Sequence, residues 1–221
     1  MRYQISASIM CADQLYMERD LDILQACGID YLHCDVMDGH FVPNLMLSTR
    51  LCNEVSRRYD VPLDIHLMVS NPEQAVEWFD VKSKDLVSVH YESTPNIVPV
   101  LNRIRQRGAS PVLAVNPATP LDSVAELLPH VDSIMLMTVN PGFASQKLLP
   151  EALDKIRLCR DMLDRLGYAD MPIEVDGNCS FENVPKMAEM GASVFVAGTS
   201  SIFNKSIGIE NGIARLRQTL A

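Results

Sequence analysis

The feature that most limits how this chain can fold is an alternation that runs from end to end. A short, continuous apolar run is followed by a stretch with helical apolar period, and the pair repeats. Continuous apolar runs, unlike strict polar–apolar alternation, mark strands of a parallel sheet covered on both faces. They fall at 4–10, 29–35, 62–69, 86–90, 111–116, 132–138, 172–176 and 193–197. Between them lie helical patterns. Asp13 caps the first, with Met17, Leu21 and Leu24 on its apolar side. Others cover 49–59, 72–80, 97–107 and 121–128. A further one carries Ala152, Ile156, Cys159, Leu163 and Leu166, with Gly167 at its end. Ser180 caps the next, with Val184, Met187 and Gly191 on one side, and Ile209, Ile213, Leu216 and Leu220 mark the last. Eight strand–helix pairs in 221 residues predict one α/β domain over 1–221, a closed (β/α)8 TIM barrel. A doubly wound open sheet is the alternative, but the count favours closure, and no linker or low-complexity tract divides the chain.

A barrel of this type gathers its chemistry at the C-terminal ends of its strands. The stretch His33-Cys34-Asp35-Val36-Met37-Asp38-Gly39 ends one strand, and residues two apart on a strand point the same way. His33 and Asp35 therefore project together, while Cys34 faces the helices. His66 sits near the end of the next apolar run, and Asp176, just before Gly177, ends another. Two imidazoles and two carboxylates from three strand ends suit one divalent ion of borderline character, Zn²⁺, Fe²⁺, Mn²⁺ or Co²⁺. His90 and Glu92 repeat the same spacing at a fourth strand end and are read as supporting or structural.

Barrels often hold phosphate with the loops after strands seven and eight. Here those loops are Asp176-Gly177-Asn178 and Ala197-Gly198-Thr199-Ser200-Ser201, and Pro141-Gly142-Phe143-Ala144-Ser145 adds a candidate lid. None carries a lysine or arginine, so backbone amides must supply the positive field. The net charge of −9 argues against nucleic acid and anionic membrane surfaces as partners. No run approaches the roughly eighteen apolar residues of a membrane span, and no signal-peptide pattern is read. Six scattered cysteines without a CxxC pair suit a reducing, cytoplasmic location.

With these pieces placed, the chain resembles the ribulose-phosphate 3-epimerase family nearly end to end. The resemblance is carried by Ser6-Ala7-Ser8, by the stretch from His33 to Asn44, by Asp64-Ile65-His66-Leu67-Met68-Val69 and by Asn116-Pro117-Ala118-Thr119-Pro120. It continues through Met137-Thr138-Val139-Asn140-Pro141-Gly142-Phe143 and Val175-Asp176-Gly177. It implies a TIM barrel that inverts C3 of a phosphorylated ketose, with His33, Asp35, His66 and Asp176 on the metal ligands and Asp35 and Asp176 on the acid/base pair. Ser8 and His66 fall on substrate contacts. Gly142, Phe143, Ala144, Gly177, Asn178, Gly198 and Thr199 fall on the substrate and phosphate loops. Met37, Met68 and Met137 fall on an apolar lining, though core filling is the usual role of methionine. Family members commonly associate, so a homo-oligomer is expected.

The resemblance is uneven in one respect. Asn178 and Ala144-Ser145 stand where the common ribulose-phosphate form has glycines, and Asn178-Cys179 with the 198–204 stretch looks more like the allulose-6-phosphate 3-epimerase branch. The expected substrate is therefore D-allulose 6-phosphate, converted to D-fructose 6-phosphate, with D-ribulose 5-phosphate to D-xylulose 5-phosphate as the alternative. Inversion beside a ketone passes through an enediolate, which a Lewis-acidic ion stabilises while two carboxylates act as base and acid. A metal-dependent aldolase would not need carboxylates on both faces, and a non-catalytic sugar-phosphate sensor would need neither.

Overall fold

The structure is a computed structural model and describes residues 3–221. Its strands are β1 (Gln4–Ser8), β2 (Tyr31–Asp38), β3 (Leu45–Met46), β4 (Leu63–Met68), β5 (Leu86–His90), β6 (Ser110–Val115), β7 (Ser133–Met137), β8 (Ile173–Asp176) and β9 (Val194–Ala197). They form one sheet in the order β1-β9-β8-β7-β6-β5-β4-β2, and β1 also pairs with β2, so the sheet closes. Every neighbour around the barrel is parallel; the exception is two-residue β3, which runs antiparallel along the end of β2. The predicted closed barrel is the observed fold.

Closure follows from burial on both strand faces. Outward residues such as Ile5, Ala7, Leu32, Cys34, Ile65 and Leu67 join helix residues in one continuous core. The helices are α1 (Met17–Ala26), α2 (Thr49–Arg58), α3 (Pro72–Ala75), α4 (Ile97–Gln106), α5 (Ala152–Arg165), α6 (Asn183–Glu189) and α7 (Ile209–Thr219). Cys34 packs on that outer side as expected, fully buried, and all six cysteines are free thiols. Inside the barrel the apolar filling is smaller, for example Val112, Ala114, Met135 and Met137. The remaining interior is polar, with Ser6, His33, Asp64, His66, Ser88 and Glu174 all completely buried.

Several local expectations change. The first strand stops at Ser8 and turns into a 3₁₀ segment, Ile9–Cys11. Asp13 does not cap α1, which starts at Met17 without a side-chain cap. Its carboxylate instead accepts the Leu15 N–H (3.1 Å), and its own N–H donates to Asp20 Oδ2 (2.9 Å), so the residues between form a separate turn. The 72–80 helix is α only over Pro72–Ala75 and then 3₁₀ over Val76–Trp78. The 121–128 pattern forms a 3₁₀ helix, Leu121–His130, whose Pro129 has no N–H for an α-helical ladder. Ser180 begins the turn into α6, its hydroxyl accepting the Asn183 N–H at 3.2 Å. Each barrel strand is still followed by a helical layer. Among the described residues no helix is long and apolar enough to cross a membrane.

Candidate metal and substrate site

Strand register assembles the site. Across β2 and β4, His33 pairs with Asp64 and Asp35 with His66, and across β7 and β8 Met137 pairs with Asp176. One donor atom each from His33, Asp35, His66 and Asp176 lies within 4.8 Å of all the others. His33 Nε2 is 3.3 Å from Asp35 Oδ1, and His66 Nδ1 is 3.5 Å from Asp35 Oδ1 and 3.4 Å from Asp176 Oδ2. Both histidines are fully buried, yet neither His33 Nε2 nor His66 Nδ1 has an aligned hydrogen-bond partner. A buried polar atom left unpaired costs about 1–3 kcal/mol. Two such nitrogens converging on two carboxylates have the chemistry of a set able to hold a divalent cation.

The cluster is strongly polarised. Burial opposes charge on His33, but the Asp64 and Asp35 carboxylates outweigh it and raise its pKa well above the usual value. Burial alone would raise Asp35; His33 and His66 hold it far below the normal carboxylate range. His66 is raised by Asp176 and Asp35 against its burial.

Each of the buried groups is fixed from behind. Asp64 Oδ2 lies 2.5 Å from His33 Nδ1 and also accepts the Ser6 hydroxyl at 2.7 Å. The Ser8 hydroxyl donates to Asp35 Oδ2 at 2.7 Å, which leaves Oδ1 facing the histidines. On the other flank, His66 Nε2 is 2.8 Å from His90 Nε2, and His90 Nδ1 is 3.3 Å from Glu92 Oε2. Burial is the main reason that His90 is pushed down to about 4. Burial works against the charge on Glu92, but hydrogen bonds from His90, Thr119 and Asn116 bring it down to about 2. His90 and Glu92 therefore stand behind the cluster, in agreement with their supporting role. Asp64 was assigned no part from sequence. Its signal was present, because Asp64 and His66 show the same two-residue spacing as His33 and Asp35.

The two aspartates reach the floor of a cleft that the histidines do not line. Ser8, Asp35 and Asp176 meet there with Met37, Met68 and Met137. The methionines thus fill both roles weighed for them: they are almost wholly buried and they also wall the cleft. His66 lies below its surface, so the structure does not bring it forward as a substrate contact. The loops predicted for phosphate close the far side through Gly142, Phe143, Ala144, Gly177, Asn178, Gly198 and Thr199, and among the described residues no lysine or arginine lines the cleft. Gly177 is required there: its φ is +127°, and a Cβ would sit 2.6 Å from a methyl of Val139. Two residues that stand in place of glycines also adopt left-handed backbone, Ser145 at φ 64° and Asn178 at φ 49°. Their side chains hold the loops together. Asn178 Nδ2 donates to the Gln146 carbonyl (2.6 Å), and the hydroxyls of Ser145 and Thr199 lie 3.0 Å apart. The candidate lid is thus joined to both strand-end loops, with Phe143 half-exposed at its tip.

Comparison with known proteins points one way. Residues 4–203 match the model of the ribulose-phosphate 3 epimerase family. A ribulose-phosphate 3-epimerase of Methanocaldococcus jannaschii is 37% identical over 215 residues, covering 97% of this chain and 90% of its own. Those of Bacillus subtilis (36%, 92% and 93%) and Escherichia coli (37%, 92% and 90%) are similarly alike. Among solved structures, a 3-hexulose-6-phosphate synthase superposes over 99% of this chain and 100% of its own with a TM-score of 0.66 at 15% identity. A phosphoribosyl anthranilate isomerase of Thermus thermophilus does so over 98% of each chain with a TM-score of 0.64 at 12% identity. At such identities the structural likeness speaks for the barrel alone.

Proposed function

The chain belongs to the ribulose-phosphate 3-epimerase family of isomerases, and from that premise we propose that it interconverts D-ribulose 5-phosphate and D-xylulose 5-phosphate in the cleft above Asp35 and Asp176. The observation that carries the reading is the convergence of four donor atoms at and just beneath the cleft floor, two of them buried histidine nitrogens without hydrogen-bond partners. His33, His66, Asp35 and Asp176 would hold one divalent ion. When bound, such an ion supplies Lewis-acid stabilisation to the negative charge that develops when the C3 proton leaves.

The rest is the work of the chain. Asp35 and Asp176 come from β2 and β8, with β9 and β1 between them in the barrel, so their carboxylates approach the substrate from separate directions. One removes the C3 proton and the other returns a proton to the opposite side; the roles exchange in the reverse reaction. The Ser8 hydroxyl holds Asp35 Oδ2 in place for this. Met37, Met68 and Met137 keep water from the reacting carbon with an apolar, polarizable wall. At the far side, Gly177, Asn178, Gly198, Thr199 and residues 142–144 offer backbone amides to the phosphate, which suits a cleft without cationic side chains.

The names of the sequence relatives favour ribulose 5-phosphate over the allulose 6-phosphate first expected from Asn178 and the 198–204 stretch. The second reading keeps one supporting observation: Asn178 and Ser145 place side chains at the phosphate end where glycines would leave space. Assaying both sugars with the same metal-loaded preparation separates them. The proposal expects the larger kcat/KM for ribulose 5-phosphate; a clear preference for allulose 6-phosphate would reverse the assignment, and no epimerisation of either would reject both.

A further inference from the structure

We propose that His90 and Glu92 are positioning residues that select the tautomer of His66, so that a lone pair on Nδ1, and not a proton, faces Asp35 and Asp176. The inference rests on the metal-site reading above and extends it to residues outside the four-donor set.

The two nitrogens of His66 have different surroundings. Nδ1 faces the carboxylates and has no aligned partner. Nε2 meets His90 Nε2 across 2.8 Å. The ring centres are 5.0 Å apart, farther than the nitrogens by about one ring radius on each side, and the planes differ by 26°, so the rings meet edge to edge and not face to face. A single proton fits between two such nitrogens. Both side chains are completely buried, so no bulk water competes for it.

Ownership of that proton is decided on the far side of His90. Its Nδ1 faces Glu92 Oε2 at 3.3 Å, and an ionised carboxylate only accepts hydrogen bonds. His90 therefore carries its proton on Nδ1 and offers a lone pair at Nε2. His66 must donate from Nε2, and its remaining lone pair lies on Nδ1. Glu92 cannot readily turn away, because its other oxygen, Oε1, accepts the Asn116 N–H at 2.9 Å and the Thr119 hydroxyl. The loop bearing these donors is fastened in turn by Lys155 of α5, whose Nζ donates to the carbonyls of Asn116, Pro117 and Thr119 at 2.7–2.9 Å.

Glu92→Gln tests this with almost no change of shape. The Asn116 N–H and the Thr119 hydroxyl hold the glutamine oxygen on their side, so its amide NH₂ faces His90 Nδ1. A donor there forces His90 to carry its proton on Nε2 and His66 to carry one on Nδ1, where the ion would bind. Zn²⁺ affinity, measured by competition with a chromophoric chelator, should fall about 10–100-fold, while the melting temperature changes little. In zinc-loaded wild-type protein, long-range ¹H–¹⁵N spectra should place protons on His66 Nε2 and His90 Nδ1. Wild-type Zn²⁺ affinity in a folded E92Q protein overturns the proposal, and so does a proton on His90 Nε2 in the wild type. Should E92Q fail to fold, the wild-type spectrum decides alone. A wild-type protein that binds no divalent metal removes the metal-site reading and this inference with it; metal binding unaffected by E92Q removes the inference only.

Discussion

Two strand ends in this barrel carry the same short pattern, a histidine followed two residues later by an acid, and they do different things. On β2, His33 and Asp35 both lie within the strand, which continues to Asp38. Strand geometry therefore aims both side chains into the barrel, and they meet His66 and Asp176. On β5 the strand stops at His90, and Glu92 lies in the 3₁₀ segment Tyr91–Ser93. That turn swings the Glu92 carboxylate toward the loop after β6, where Asn116 and Thr119 hold it. His90 still points inward, but it meets the back of His66 and not the shared centre. Spacing settles which side of a strand two residues share; where the strand ends settles whether they act together.

The widest separation between the two pairs should appear in the chemical step. Asp35→Asn and Asp176→Asn should each lower kcat by about 10²–10⁴-fold, the usual worth of a general acid or base, in samples whose metal content has been verified. Near-wild-type turnover of metal-loaded Asp35→Asn would remove the distinction between β2 and β5. In deuterated water, wild-type product should carry deuterium at C3 from the first turnovers if, as proposed, the acid that returns the proton is not the base that took it. Early product without the label would mean that one group moves one proton.

Metal retention should divide the same residues more finely. On the proposed metal site, His66→Ala should lose the ion and activity together while the barrel still melts cooperatively, because His66 sits near a strand end. Atomic absorption on the purified variant reads this directly. His90→Gln should retain the site with affinity weakened by about 10–100-fold, as for outer residues that orient a ligand. Equal losses in the two variants would make His90 a full member of the site. The smallest effect is expected from Thr119→Val, which removes one hydrogen bond to Glu92 and leaves the Asn116 N–H in place. At about 1 kcal/mol this is roughly fivefold in metal affinity, to be read by the same chelator competition; no change at all would show that the Asn116 amide suffices to hold Glu92.

Much of this molecule was legible in its sequence. The eight apolar runs with intervening helical patterns called for a parallel sheet covered on both faces, and their number favoured a closed barrel over a doubly wound open sheet. The two-residue period placed His33 with Asp35 and turned Cys34 toward the helices, as the structure has them. These are local properties of the backbone, so they survive without knowledge of neighbours. Register and hydrogen-bond partners between distant segments are not local, and they decided the rest. Asp64 and His33 lie 31 residues apart and meet only because β2 and β4 pair in a particular register. Asp13 has the chemistry of a helix cap, but Asp20 draws its N–H into a separate turn. Asn178 and Ser145 break the glycine pattern, yet they hold left-handed backbone because Gln146 and Thr199 lie where their side chains bond. His90 and Glu92 show the same division: their spacing was plain in the chain, and their place behind His66 was set only when β5 ended and the loop after β6 came to meet it.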